Sequence, residues 1–198
     1  MITCQDLEKE IEKVITTPDT NSLMFSNVGD TFKEHFRNIN IYYAWLTASV
    51  KVWKPKKIVE LGAETGASTL ALYLKKQKDT KLISIDYNSQ WPFVPPKMLN
   101  DKKNVKLIAA NDLDESMIKK NKKLLTGIDY LFIDTNHTYE QISKEAELYT
   151  EFLASPALIV IDDIQLGGLD KFWKEIPYET MDISKYHSCG FGFFIFNR

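Results

Sequence analysis

Lys57-Ile-Val-Glu-Leu-Gly62-Ala-Glu-Thr-Gly66-Ala-Ser-Thr69 decides the fold. Lys57–Leu61 is a short apolar run that stops at Gly62, and helix-forming residues take over from about Gly66 to Lys76. A strand, a glycine turn and a helix in that order make the first half of a β-α-β unit. The same alternation recurs downstream. Lys81–Asp86 (KLISID) and Val105–Ala110 (VKLIAA) read as strands, the latter followed by a lysine-rich helix. Ile128–Asp134 (IDYLFID) leads into a helix from about Tyr139 to Leu153, and Ala157–Asp162 (ALIVID) is the next strand. Continuous β-branched and aromatic runs between helices predict a parallel sheet covered on both faces.

The end of the chain breaks the pattern. Met181–Tyr186 and Phe191–Asn197 read as strands joined by His-Ser-Cys-Gly, with no room for a helical crossover, so they must pair antiparallel. Upstream, Leu7, Ile11 and Val14 recur at helical spacing, Thr16–Asp30 is rich in turn formers, and Thr31–Lys51 is a second helical run containing Tyr42, Trp45 and Leu46. Pro55 precedes the first strand. The expected architecture is one domain over 1–198: a helical N-terminal extension, 1–52, and an α/β core, 53–198. That core is a doubly wound, Rossmann-like, mostly parallel sheet with an antiparallel C-terminal strand pair.

The 198 residues are 44% hydrophobic and 26% charged, with a net charge of −2, an ordinary globular balance. No overall basic field is available for nucleic acid, and the clusters Lys54–Lys57 and Lys119–Lys123 read as solvated helix ends and linkers. Two cysteines, Cys4 and Cys189, stand far apart and fit a reducing compartment. The start, MITCQDLEKEIEKV, carries acids where a signal peptide carries bases, and no apolar run is long enough to span a bilayer. A cytoplasmic protein with no membrane or nucleic-acid partner is expected; a homo-oligomer stays open.

In an open α/β sheet, ligands bind beyond the carboxyl ends of the strands. Those ends here are Glu60, Asp86, Asn111–Asp112, Asp134 and Asp162–Asp163. Any one could cap a helix; their recurrence on one edge points to a site. The first turn discriminates between ligands. A dinucleotide fingerprint counted from Gly62 would need glycine where Glu64 and Ala67 stand, and no Walker sequence occurs, so phosphate binding is disfavoured. An acidic, glycine-containing turn suits a positively charged nucleoside. S-adenosylmethionine carries a sulfonium and an ammonium, Glu60 can lie near the latter, and Asp86 can accept ribose hydroxyls.

Here the residues carry a resemblance. VELGAETGAST resembles motif I of the class I S-adenosylmethionine-dependent methyltransferases, and ISID resembles their second motif. FIDTNHTYEQISKEAELY and ALIVIDDI are similar to the small O-methyltransferases related to the macrocin and mycinamicin sugar methyltransferases, whose pattern is F-I-D-G-D-H-x-Y-E followed by an acidic pair. The likeness runs from about Pro55 to Ile164, and GFGFFIFN suits the family's last strand. The resemblance implies that Glu60, Gly62, Gly66 and Ser68 serve the methionine part of the donor, Asp86 the ribose and Asp112 the adenine. It implies Asp134, Asp162 and Asp163 as ligands of Mg²⁺ in metal-dependent members, and His137 with Asp134 as catalytic groups. Thr135 and Asn136 depart from the pattern, replacing a flexible residue and a carboxylate.

The expected reaction is methylation of a hydroxyl on a small molecule or sugar. Metal-independent N- or O-methylation, and a non-catalytic donor-binding domain, are the alternatives; a nicotinamide-dependent oxidoreductase is weakened by Glu64 and Ala67. Trp91–Pro96 either flanks the adenine or covers the core, and Phe172 and Trp173 either shape the acceptor site or pack. His35 and His187 have no partner pattern and read as surface or packing residues.

Overall fold

The computed structural model describes residues 2–16, 41–87 and 90–198. Most of the segment read as a loop over Thr16–Asp30, the first part of the Thr31–Lys51 run, and His35 lie outside the described residues. Among those described, seven strands form one sheet in the order β3-β2-β1-β4-β5-β7-β6. They are β1 (Lys57–Leu61), β2 (Lys81–Asp86), β3 (Val105–Ala109), β4 (Ile128–Ile133), β5 (Leu153–Asp162), β6 (Thr180–Asp182) and β7 (Phe191–Phe196). β1 to β5 run parallel, while β7 pairs antiparallel with both β5 and β6.

Side-chain alternation splits each strand between two cores. Ile58, Tyr130, Phe132, Leu158 and Val160 face helices α1 (Cys4–Thr16), α2 (Ile41–Trp53) and α3 (Ala67–Leu74). Val59, Leu61, Leu131, Ile133, Ile159 and Ile161 face the other side. There they meet α5 (Glu115–Leu125), α6 (Tyr139–Tyr149) and α7 (Leu169–Glu175), while the short α4 (Pro96–Asn100) joins the first core through Met98. No helix among the described residues is long and apolar enough to cross a membrane.

Two boundaries differ from the sequence reading. The helix after β4 stops at Tyr149, because Leu153 already belongs to β5, paired with Ile128, and Gly127 N–H donates to Phe152 O. β6 ends at Asp182, because Asp182 Oδ1 accepts from Ser184 N–H and turns Ser184–Tyr186 into a 3₁₀ turn. In α1 the buried seam is Cys4, Leu7, Ile11 and Ile15; Val14 lies at its edge.

Candidate active site

The chain leaves β1 toward β2 and β3, then returns to place β4 on the other side of β1. The carboxyl ends of β1 and β4 are therefore the switch point where this topology opens a crevice. Gly62 sits there with φ +82°, its N–H donating to Ile85 O at 2.9 Å, while Asp134 N–H donates to Leu61 O at 2.9 Å. A Cβ on Gly62 would lie 1.7 Å from Asp134 O. The fold itself thus demands this glycine, whatever ligand follows.

A cleft of about 340 Å³ opens at this point, lined by Gly62, Asp86, Asp112, Asp134 and His137 together with Tyr87 and Gln141. The sequence-predicted Glu60, Gly66, Ser68, Asp162 and Asp163 do not line it. Glu60 follows the strand alternation of Ile58, so its side chain lies beneath α3 rather than in the cleft. Burial raises its pKa to about 7, against the pull of the Ser68, Ser84 and Thr69 hydroxyls, the last donating at 2.6 Å. Gly66, at φ +84°, leads into α3, and a Cβ there would strike Val94 at 2.6 Å. Trp91–Val94 therefore packs over the turn, with Phe93 N–H donating to Thr65 O at 3.1 Å.

Asp86 accepts the N–H groups of Ala63 and Glu64 on Oδ2, at 2.9 and 2.7 Å, and so shapes the turn from the end of β2. Beside it the Tyr87 ring is 86% exposed at the rim of the cleft. Asp112 belongs to a polar network that sequence reading missed. Gln141 Nε2 donates to Asp112 Oδ2 at 3.2 Å and to Glu145 Oε1 at 2.7 Å, and Thr135 Oγ1 donates to the same Glu145 oxygen at 2.6 Å. Thr135, a departure from the family pattern, is thereby tied to α6. Burial, then hydrogen bonding to Asp112, pushes Glu145 up to about 9.

From Asp134 and His137 a cluster of acids and imidazoles extends beyond the cleft lining. His137 Nε2 lies 2.9 Å from Asp163 Oδ2 and 3.7 Å from Asp134 Oδ1. The Asp134 carboxylate raises the His137 pKa, while burial pushes Asp134 up to about 7. The loop after β5 is clamped onto His137, since a Cβ on Gly167 would fall 1.4 Å from His137 O. Asp162 and Asp163 are buried, Asp163 at φ +53°. His187, read from sequence as a surface or packing residue, belongs to this cluster: Nδ1 is 3.0 Å from Asp162 Oδ1 and 3.3 Å from Asp163 Oδ1. The signal was nonlocal. Only the antiparallel register that pairs Asp162 with Phe191 swings His187 back over the end of β5. Tyr42 of α2 closes this side, its ring 4.9 Å from that of His187.

Among the described residues, two sets hold all their candidate ligand atoms within 4.8 Å: Asp134, His137 and Asp163, and Asp162, Asp163 and His187. The three aspartates expected to act together are divided between these sets, with Asp163 shared. Phe172 and Trp173 pack on the core of the α5–α7 side rather than lining the cleft.

A doubly wound sheet ending in an antiparallel pair, with an acid-lined cleft at its switch point, is the scaffold of the Rossmann-like transferases. Within that class the chain belongs to the methyltransferase domain family, whose profile matches residues 59–164. Solved structures agree on the fold. A methyltransferase from Geobacter sulfurreducens superposes with a TM-score of 0.65 at 15% identity, over 91% of this chain and 97% of that one. An O-methyltransferase from Bacillus cereus, solved in complex with SAH, gives 0.61 at 15% identity over 94% and 90%. An uncharacterised protein of Acanthamoeba polyphaga mimivirus is 32% identical over 118 residues, 54% of this chain and 51% of the relative. The chain thus spans about half the length of that curated relative.

Proposed function

We propose that this protein transfers the methyl group of S-adenosylmethionine to a hydroxyl of a small molecule or sugar in the cytoplasm, where its two cysteines stay free. The observation that carries the reading is the meeting of Asp86, Asp112, Asp134 and His137 on one cleft at the switch point. The O-methyltransferases from Bacillus cereus, with SAH, and from Streptomyces achromogenes, with SAM, share the fold and support the donor. The sugar branch rests on Asp134, His137 and Tyr139 and on the pair Asp162–Asp163.

The bound donor supplies a methyl group on a positively charged sulfur. Gly62 and the turn that Asp86 organises would hold its amino-acid end, Asp86 would face the ribose, and Asp112 and the Tyr87 ring would face the adenine. The negative potential of the cleft favours its two positive charges. His137 takes the proton from the acceptor hydroxyl on an imidazole nitrogen as the new oxygen–carbon bond forms. Positioning and that deprotonation supply the rate, because the sulfur leaving group needs no help.

A divalent cation fits the aspartates at the ends of β4 and β5. Asp162 Oδ1 and Asp163 Oδ1 are buried with no hydrogen-bond partner, a state a cation would satisfy. When bound it would lower the pKa of a ligated hydroxyl. It would also weaken the carboxylate field that raises the His137 pKa, and so favour the neutral imidazole that a base requires. Calorimetric titration of chelator-treated protein with S-adenosylhomocysteine tests the donor: saturable one-site binding is expected, and no heat at several temperatures would overturn the assignment.

A further inference from the structure

We infer that the cation site of this protein is a mixed imidazole–carboxylate site, in which His187 joins Asp162 and Asp163 as a ligand and selects a first-row transition cation over Mg²⁺. This rests on the proposal that the acidic strand ends hold a cation, but adds a ligand from the C-terminal hairpin and a different metal class. His137 stays outside the ligand set, as the base.

The spacing is the first argument. Adjacent ligands about 2.1 Å from an octahedral metal are separated by about 3.0 Å. The His187 Nδ1 distances to Asp162 Oδ1 and Asp163 Oδ1 are 3.0 and 3.3 Å, and all three atoms lie within 4.8 Å of one another. The second argument is direction. Both carboxylate oxygens are close to the imidazole nitrogen, yet neither accepts a well-aligned hydrogen bond. Atoms that converge without aligning for a hydrogen bond are arranged as ligands around a common point. Asp162 is 3% exposed and Asp163 8%, so solvent does not satisfy these oxygens. The same nitrogen is also within hydrogen-bond distance of the Gly190 carbonyl oxygen, at 3.4 Å, so ligation requires the tautomer with its proton on Nε2.

The architecture fixes this convergence. A Cβ on Gly190 would lie 2.8 Å from Gln165 N, and Gln165 N–H donates to Cys189 O at 3.1 Å, so the hairpin tip is locked against the turn after β5. Asp163 uses its two oxygens on opposite sides: Oδ1 faces His187, and Oδ2 faces His137 at 2.9 Å. One side can ligate while the other orients the base.

The donor set then decides the metal. Mg²⁺ takes oxygen ligands and keeps its waters, whereas imidazole suits Mn²⁺ through Zn²⁺ in the Irving–Williams order. The competing arrangement is a plain ion pair, with a protonated His187 neutralising two carboxylates and no metal at all.

Chelator-treated full-length protein, wild type and His187→Gln, is titrated by calorimetry with Co²⁺, with Mg²⁺ and with S-adenosylhomocysteine. The expected result is one-site Co²⁺ binding at least tenfold tighter than Mg²⁺. His187→Gln should weaken Co²⁺ about tenfold or more while changing Mg²⁺ and S-adenosylhomocysteine less than about twofold. Should the variant fail to fold, pulsed EPR of Mn²⁺ on the wild type and on His137→Gln must show coupling to an imidazole nitrogen in both. Equal Co²⁺ and Mg²⁺ affinities, Co²⁺ binding indifferent to His187, loss of the nitrogen coupling in His137→Gln, or no cation binding would each overturn the inference. His187-dependent Co²⁺ binding without S-adenosylhomocysteine binding would sustain it and remove the donor reading instead.

Discussion

Gly62 and Gly127 share almost the same backbone angle, φ +82° and +83°, but not the same surroundings. Alanine at Gly127 meets nothing within 4 Å, so it should cost only the left-handed penalty, about 1–2 kcal/mol. Alanine at Gly62 must also displace the backbone of Asp134, and should cost more than about 3 kcal/mol by urea denaturation. Similar losses at both positions would mean the β1–β4 crevice yields easily. At His137 the expectation is kinetic: His137→Gln should lower kcat by about 10²–10⁴-fold while S-adenosylhomocysteine affinity, measured calorimetrically, stays put. A matching loss of affinity would make the residue a binding contact rather than a base. Asp134 and His137 were legible because they lie three residues apart in one motif. Glu145 and His187 were not, since each meets its partners only after α6 docks or β7 pairs. Glu60 lies under α3 for a simpler reason: alternation along five residues sends it to the opposite face from Leu61.

The strands were read almost to the residue because a buried parallel strand is a bare apolar run, and β1 and β2 have nowhere else to start or stop. Ends governed by pairing were less visible. Nothing before Ala157 announces that β5 begins at Leu153, since that part of the strand gains its partner only from the amino end of β4. The two helices of the N-terminal extension, α1 and α2, are tied to each other by a polar contact beside an aromatic cluster. Trp45 Nε1 donates to Glu8 Oε2 at 2.8 Å, while the ring packs on Phe191 and Phe193. Both Trp45 and Glu8 are buried, and Lys185 approaches the other Glu8 oxygen at 3.4 Å. Trp45→Phe should therefore cost about 3 kcal/mol, more than its lost area alone, because a buried carboxylate oxygen loses its donor. Glu8→Leu added to Trp45→Phe should recover part of that loss in thermal melts. If the double variant is no better, the cost lies in packing.

The molecule as a whole separates its charge. Lys57, Lys120 and Lys123, from the two clusters read as solvated helix ends and linkers, join Lys81, Lys103 and Lys106 in one groove at the amino ends of the first strands. The acids gather at the carboxyl ends, where potential attracts cationic ligands and simultaneously strains the fold. Glu145 is the sharpest case. Its ordinary value is 4.5 and the folded protein raises it to about 9, through burial first and the Asp112 carboxyl second. Between those values the folded chain holds a proton that the unfolded chain releases. The resulting stabilisation is complete below about pH 4.5 and is lost progressively as pH rises toward 9. One such proton sets a slope of at most about 1.4 kcal/mol per pH unit. Glutamine at this position can still accept from Thr135 through its oxygen and donate to Asp112 through its amide, without a proton to lose. Glu145→Gln should thus be nearly as stable as wild type at pH 5 and clearly more stable at pH 8.5. Urea denaturation at the two pH values reads the difference. Parallel losses in both proteins would mean that the folded state already carries Glu145 ionised and that the pH dependence arises elsewhere.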